Sequence, residues 1–195
     1  MSYVDSVFPL DTMRDALAAA LDAYVGRTGI EVDAATKAAD FLAFLHAHPD
    51  AFERSCAPGH FTGSAWLVSA DGSRVLLTHH RKLGLWLQPG GHADGDPDLR
   101  RVALREAGEE TGLHGLCIET DIFDIDRHRI PARPGEPEHW HYDVRYVVRA
   151  GGNERFVVSA ESHALAWRAI ADVATDEQAD ASVRRMARKW LARIG

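Results

Sequence analysis

The chain has 195 residues, 46% hydrophobic and 26% charged, which is enough for one domain with an added segment and a substantial core. Its 29 acidic against 22 basic residues give a formal net charge of −7, which argues against a broad electrostatic grip on a nucleic-acid polymer, because that grip needs a positive surface. A small phosphorylated ligand is compatible with this charge if a bound metal supplies the local positive charge.

No apolar run reaches the roughly 18 residues of a membrane span. The start, MSYVDSVFPLD, lacks the basic and apolar regions of a secretory leader. Cys56 and Cys117 suit neither a disulfide framework nor a metal knuckle, so a reducing, cytoplasmic setting is expected. From Asp11 to Val25 the pattern predicts a helix, with Leu17, Leu21 and Tyr24 at helical spacing and Gly26 as its stop. A second helix is expected from Asp33, a good N-cap, to about Ala47, with Leu42 and Leu45 as its apolar stripe. Residues 1–58 thus read as a helical extension for packing or a homodimer contact, and residues 59–195 as the main domain.

At Phe61 the texture changes. FTGSAWLVSADGSRVLLTHH predicts two strands joined at Asp71-Gly72, and GLWLQPGG a short strand running into Pro89-Gly90-Gly91. Asp96-Pro97-Asp98 then opens a helix as cap, proline at the first helical position and acid in the first turn, and Gly112 ends it. Strands are expected over 116–128, His139 to Val148 and Ala164 to Ile170, with a proline-rich loop from Ile130 to Pro137 suited to a substrate-contacting flap. The tail reads as one helix from Asp176 to Ile194. Strands with a mid-chain and a C-terminal helix imply an α/β sandwich.

On a helical wheel Leu99, Val102 and Ala103 define an apolar arc, and Glu106 and Glu110 fall inside it, with Glu109 at its edge. Three carboxylates on a partly buried face repel one another, whereas a hard divalent cation such as Mg²⁺ reverses that penalty. The plain alternative is a solvated acidic face. Burial phase, the i, i+3, i+4 clustering, Arg105 alongside and the upstream Pro-Gly-Gly, whose backbone can approach a metal closely, favour the cation.

These residues resemble the Nudix box, G-x5-E-x7-R-E-U-x-E-E-x-G-U with U apolar. Gly91 opens it, and Arg105-Glu106-Ala107-Gly108-Glu109-Glu110-Thr111-Gly112-Leu113 follows in register. Six specified residue types match, which by chance is on the order of one in ten million per starting point. One position departs: the first glutamate is Pro97, flanked by Asp96 and Asp98, either of which could partly substitute.

The resemblance implies a Nudix-type α/β/α sandwich with a mixed sheet. It implies hydrolysis of a phosphoanhydride bond in a nucleoside diphosphate linked to another moiety, with Mg²⁺ or Mn²⁺ on Glu106, Glu109, Glu110 and the Gly90 carbonyl. The ion would polarise phosphoryl oxygens and lower the pKa of water, while Arg105 would orient a glutamate. The general base would be a box glutamate or a later acid, with Glu161 the candidate outside the box and a surface-loop acid its plain alternative. A binding module that senses a nucleotide without cleaving it is the second functional reading, favoured by Pro97.

The chain has 11 histidines. His139, His141 and Asp143 alternate along one expected strand and so share a face. With His92 beside Gly91, and His79-His80 at a strand end, three readings stand: a Zn²⁺ or Mn²⁺ site, recognition of substrate phosphate or base, or a hydrogen-bonded structural face. Arg81, Lys82 and Arg127 are candidate phosphate partners, and Trp86 and Trp140 candidate stacking surfaces. Each of these has ordinary solvation or packing as its alternative.

Overall fold

The computed structural model describes residues 9–27, 34–80, 84–158 and 162–194. In chain order the elements are α1 (Leu10–Arg27), α2 (Ala34–Ala47), β1 (Gly59–Val68), β2 (Arg74–His80), β3 (Trp86–Leu87), β4 (Gly90–His92), α3 (Leu99–Thr111), β5 (Cys117–Ile130), β6 (His139–Arg149), β7 (Ser162–Ala169), α4 (Ile170–Thr175) and α5 (Ala181–Ile194). Glu161, Arg81, Lys82 and the Asp33 cap lie outside the described residues.

The sheet is mixed. β1 runs parallel to β6 along its whole length, and β6 is antiparallel to β5. β2 pairs antiparallel with β7 and β3, and β4 pairs with β1 at Thr62, Gly63 and Ser64. The turn at Asp71-Gly72 forms, with Gly72 at φ 73° and Asp71 Oδ1 accepting from the Ser73 backbone N–H at 3.0 Å. The expected hairpin forms but is short, since β1 and β2 pair antiparallel at Val68 and Val75 alone. β4 occupies the β1 edge at Thr62–Ser64, which a longer hairpin would have needed.

Alternation along the strands sorts the core into two layers. Phe61, Tyr142, Val144 and Tyr146 pack with α1, α2 and α3, while Ala65, Leu67 and Val148 meet the C-terminal half of α3. On the opposite face Trp66, Val68, Phe123 and Val147 pack with α4 and α5 through Val173, Met186 and Trp190. The result is an α/β/α sandwich. Trp190, fully buried, also donates from its indole N–H to the Gly72 carbonyl at 2.8 Å, tying α5 to the β1–β2 turn.

The N-terminal helices share the core of the sheet. Leu17, Leu21 and Tyr24 of α1 and Phe41, Phe44 and Leu45 of α2 are buried with Phe61 and Tyr142, and Phe44 stacks on Tyr142 at 4.0 Å. The buried stripe of α2 is therefore centred on Phe41, Phe44 and Leu45, with Leu42 only at its margin. The Arg14 guanidinium donates to the Leu45, His48 and Pro49 carbonyls, the last two at 3.2 Å, satisfying the open C-terminal end of α2.

The expected C-terminal helix forms, but it starts at Ala181 rather than at Asp176, and a separate short helix, α4, precedes it. α4 follows β7 directly and ends at Asp176. Asp180 then starts α5, its Oδ1 accepting the Ser182 and Val183 N–H groups at 2.8 and 3.3 Å. An aspartate that accepts the first backbone donors in this way caps the start of a helix. Likewise β5 runs on to Ile130, and an isolated bridge between Arg133 and Glu136 makes the expected flap the end of a long β5–β6 hairpin.

Candidate active site

β4 and α3 meet where the glycines remove the side chains that would separate them. A Cβ on Gly63 would lie 2.6 Å from the Leu99 carbonyl, and one on Gly91 would lie 2.5 Å from the Glu106 carboxylate. Gly63 and Gly91 are also paired partners, so both bare backbones face α3. Contact at this range is closed to any residue with a Cβ.

α3 begins at Asp98, whose side chain accepts the Arg101 N–H at 3.1 Å, and ends at Gly112 in the left-handed region at φ 67°. The cap is thus Asp98, and Pro97 precedes the helix instead of occupying its first position. Asp96 accepts the Asp98 N–H at 2.9 Å and forks with the Arg101 guanidinium at 2.6 and 2.8 Å. Both aspartates beside Pro97 are therefore engaged with the helix start and Arg101, whereas Arg105 bonds elsewhere.

Leu99, Val102, Ala103 and Ala107 are buried against the sheet, and the carboxylates follow from the same wheel. Glu106 is 16% exposed at its side chain, lies against Gly91 and accepts from Arg105 at 2.9 Å. The same Arg105 nitrogen donates to the His92 carbonyl at 3.2 Å, so the guanidinium pins Glu106 to β4. Glu110 Oε1 accepts the Gly90 backbone N–H at 2.8 Å, and Glu109 projects into solvent. Two carboxylates thus sit on the Gly90-Gly91 backbone with a third one turn away and open. This oxygen-rich donor set, cradled by a glycine, fits a hard divalent cation.

The histidines assemble on the other side of β4. His92 pairs with Thr62, one position from the glycine pair, and so points away from α3. His60 lies beside His141 in the parallel β1–β6 register. The His60 ring is 4.8 Å from that of His141, 4.9 Å from that of His139 and 5.0 Å from that of His92. Burial, then the neighbouring rings of His92 and His139, press the His60 pKa down to about 4. Burial, then His92 and His128, press that of His141 to about 2, and burial also lowers His92. The His60 and His141 rings are therefore neutral at pH 7. His60 was not among the sequence candidates, because only the parallel pairing of distant strands brings it to His141.

Asp143, the next residue on that face of β6, accepts from Thr62 and Ser64 hydroxyls at 2.9 and 2.7 Å and from Arg145 Nε at 2.7 Å. Buried Arg145 in turn reaches Asp124 and Asp126, each at 3.3 Å.

The remaining candidates are dispersed. Arg127 faces α2, where it pairs with Asp40 at 3.0 Å and lies over the Trp140 ring at 4.8 Å, so the structure does not bring it to the histidines. His79 packs on Trp86 at 5.1 Å. A cleft of about 380 Å³ lined by Leu77, Trp86, Arg168 and Asp176 contains none of the box glutamates.

A family model described as "NUDIX domain" matches residues 60–190, well over half of the chain. Among curated proteins, the chain is 30% identical over 124 residues to a putative 8-oxo-dGTP diphosphatase 3 of Mycobacterium tuberculosis, covering 60% of this chain and 55% of that protein. It is 29% identical over 97 residues to an RNA pyrophosphohydrolase of Sphingopyxis alaskensis, covering 43% and 58% respectively. The chain thus spans little more than half the length of these relatives. Of solved structures, a NUDIX-family hydrolase from Clostridium perfringens superposes with TM-score 0.55 at 23% identity, over 70% of this chain and 98% of that one. A C. elegans Ap4A hydrolase complex gives TM-score 0.55 at 19% identity, over 69% and 96%. The fold is shared with both, and with the family model matched from His60 to Trp190, the chain belongs to the Nudix family.

Proposed function

We propose that this chain is a metal-dependent pyrophosphohydrolase that cleaves a phosphoanhydride bond in a nucleotide derivative, a nucleoside diphosphate linked to another moiety. The supporting observation is the placement of Glu106 against Gly91 and of Glu110 on the Gly90 N–H at 2.8 Å. Glu106, Glu109, Glu110 and the Gly90 carbonyl would hold Mg²⁺ or Mn²⁺. Such an ion supplies charge neutralisation at the phosphates and acidifies water. Arg105 positions Glu106 through its bond at 2.9 Å and is itself oriented by the His92 carbonyl. Glu109, exposed, is free of the cradle's steric limits and available to substrate-side water, and a box glutamate or Glu161 takes the proton.

The relatives are named for 8-oxo-dGTP, RNA and Ap4A substrates, so the informative assay is a panel of triphosphates, ADP-ribose, nucleotide sugars, dinucleoside polyphosphates and coenzyme A with Mg²⁺ or Mn²⁺. At least one should release nucleoside monophosphate. Glu109→Gln and Glu110→Gln should each lower turnover by about 100-fold or more. Unchanged turnover in both would defeat the assignment.

A second reading has its own observation. Pro97 replaces a box glutamate, and Asp96 and Asp98 are engaged by Arg101. This favours a nucleotide-binding module without hydrolysis, which saturable binding with no product under either metal would establish.

A further inference from the structure

The carboxylates of α3 account for one cation, but they leave a buried imidazole cluster unexplained. His60 is 2% exposed, and among the described residues neither Nδ1 nor Nε2 has a hydrogen-bond partner. A buried ring with two unsatisfied nitrogens is costly to fold and calls for an explanation. Its immediate surroundings supply one: ligand atoms of His60, His92 and His141 all lie within 4.8 Å of one another.

We infer a second metal site, separate from the glutamates, in which His60, His92 and His141 bind one Zn²⁺-class ion. Three imidazole nitrogens suit a borderline transition cation and not Mg²⁺, which prefers oxygen. Zn–N bonds of about 2.1 Å set neighbouring ligand nitrogens about 3.4 Å apart in a tetrahedron, so closure asks for shifts on the order of 1 Å. Neutral rings are the form that ligates.

The hydrogen bonding of His139 fits the same assignment. Its Nδ1 is 2.9 Å from the Pro137 carbonyl, which fixes the proton there and leaves Nε2 an acceptor. That Nε2 is 3.2 Å from His141 Nε2, so His141 donates through Nε2 and keeps the Nδ1 lone pair for an ion. A ligating histidine whose second nitrogen is held by a partner is the usual outer arrangement of a metal site. The nearby Arg54 is neutralised by Asp94, bonded through both guanidinium edges, at 2.8 Å for one of them. The ion would tie together β1, β4 and β6, and through the His92 carbonyl and Arg105 it would steady the backbone beneath the glutamates.

A second group, His48, Asp50 and Cys56, also lies within ligating range. It suits an ion less well, since burial and then the Asp50 hydrogen bond push the Cys56 thiol up to about 11.

The test is metal binding alone, read without any substrate. The full chain, free of a polyhistidine tag and stripped by chelator, is titrated with Zn²⁺ in excess Mg²⁺, with Co²⁺ run in parallel. One Zn²⁺ per chain and the intense visible bands of four-coordinate Co²⁺ are expected. His92→Ala and His141→Ala should each weaken Zn²⁺ about 100-fold or more, and His139→Ala about tenfold. Glu110→Gln and Cys56→Ser should bind as the parent does. His92 is only partly buried, so its variant keeps the test decisive if His60→Ala fails to fold. No Zn²⁺ uptake by the parent, equal uptake by His92→Ala, or loss in Cys56→Ser would each overturn the inference. Because Glu110→Gln is expected to bind Zn²⁺ normally, failure here is distinct from failure of the proposed hydrolysis.

Discussion

Gly91 and His92 are adjacent in the chain, yet the two sides of β4 that they define carry different chemistry. On the Gly91 side the partner is a helix that delivers carboxylates, held by backbone N–H and Arg105 at an approach only glycine permits. On the His92 side the partners are strands that deliver imidazoles, dehydrated and stripped of charge. The first side gathers its carboxylates from one contiguous segment, so spacing alone assembles it. The second gathers its imidazoles from β1, β4 and β6, so it exists only once the sheet has closed. Local periodicity can build a carboxylate cluster, whereas an imidazole cluster spread over three strands depends on register.

That contrast can be broken by perturbing each side. The largest effect is expected at Arg145, which compensates Asp143, Asp124 and Asp126 on the histidine side of the sheet. Arg145→Ala leaves Asp143 buried without its cation and removes one of the cations on Asp124 and Asp126, and it should lower stability by about 3–5 kcal/mol in urea unfolding. A loss under 1 kcal/mol would mean that Arg185, itself bonded to Asp124 at 2.6 Å, suffices alone.

Next is Gly91→Ala on the glutamate side. Its Cβ would sit 2.5 Å from Glu106 and must displace that carboxylate. Turnover should fall about 100-fold, as for a misplacement of about 1 Å in an active site. Parent-like turnover would show that the cradle is not needed.

The histidine side also carries a pH signature. An unfolded chain takes up imidazole protons as the pH falls below about 6.5, while folded His60 resists until about 4 and His141 until about 2. The unfolded state therefore binds more protons below about 6.5. The stabilisation is fully present above that pH and is lost progressively as the pH drops toward 4. The melting temperature of the metal-stripped protein should decline through this window, less steeply in His60→Phe; a flat profile would contradict neutral burial.

The smallest effect is at the start of α3. Asp98→Ala removes the side-chain acceptor for the Arg101 N–H and should cost about 1 kcal/mol, read from the urea midpoint.

The helix of the box was legible to within a residue, because Leu99, Val102 and Ala103 set its phase and Gly112 its end. Its cap is Asp98 rather than Asp96, because Asp98 takes the Arg101 N–H while Asp96 takes the Asp98 N–H and the Arg101 guanidinium. The tail shows the same limit. Trp190 and Met186 share one helical face as read, but the helix starts at Ala181 instead of Asp176, where Asp180 accepts the first N–H groups. His139, His141 and Asp143 were placed on one face by alternation alone. Yet Asp143 went to hydroxyls and Arg145, and His60 joined instead.

By itself the sequence determined the box glutamates, Gly91 that admits Glu106 and the helix phase that turns Glu106 and Glu110 toward β4, since all of these depend on spacing within about 20 residues. The tertiary structure decided which histidines meet, that Arg127 turns to α2, and that α1 and α2 pack into the core of the sheet. Those outcomes depend on the parallel register of β1 with β6, a pairing between segments some 80 residues apart. No local pattern encodes such a pairing, because it is selected by burial of whole faces at once.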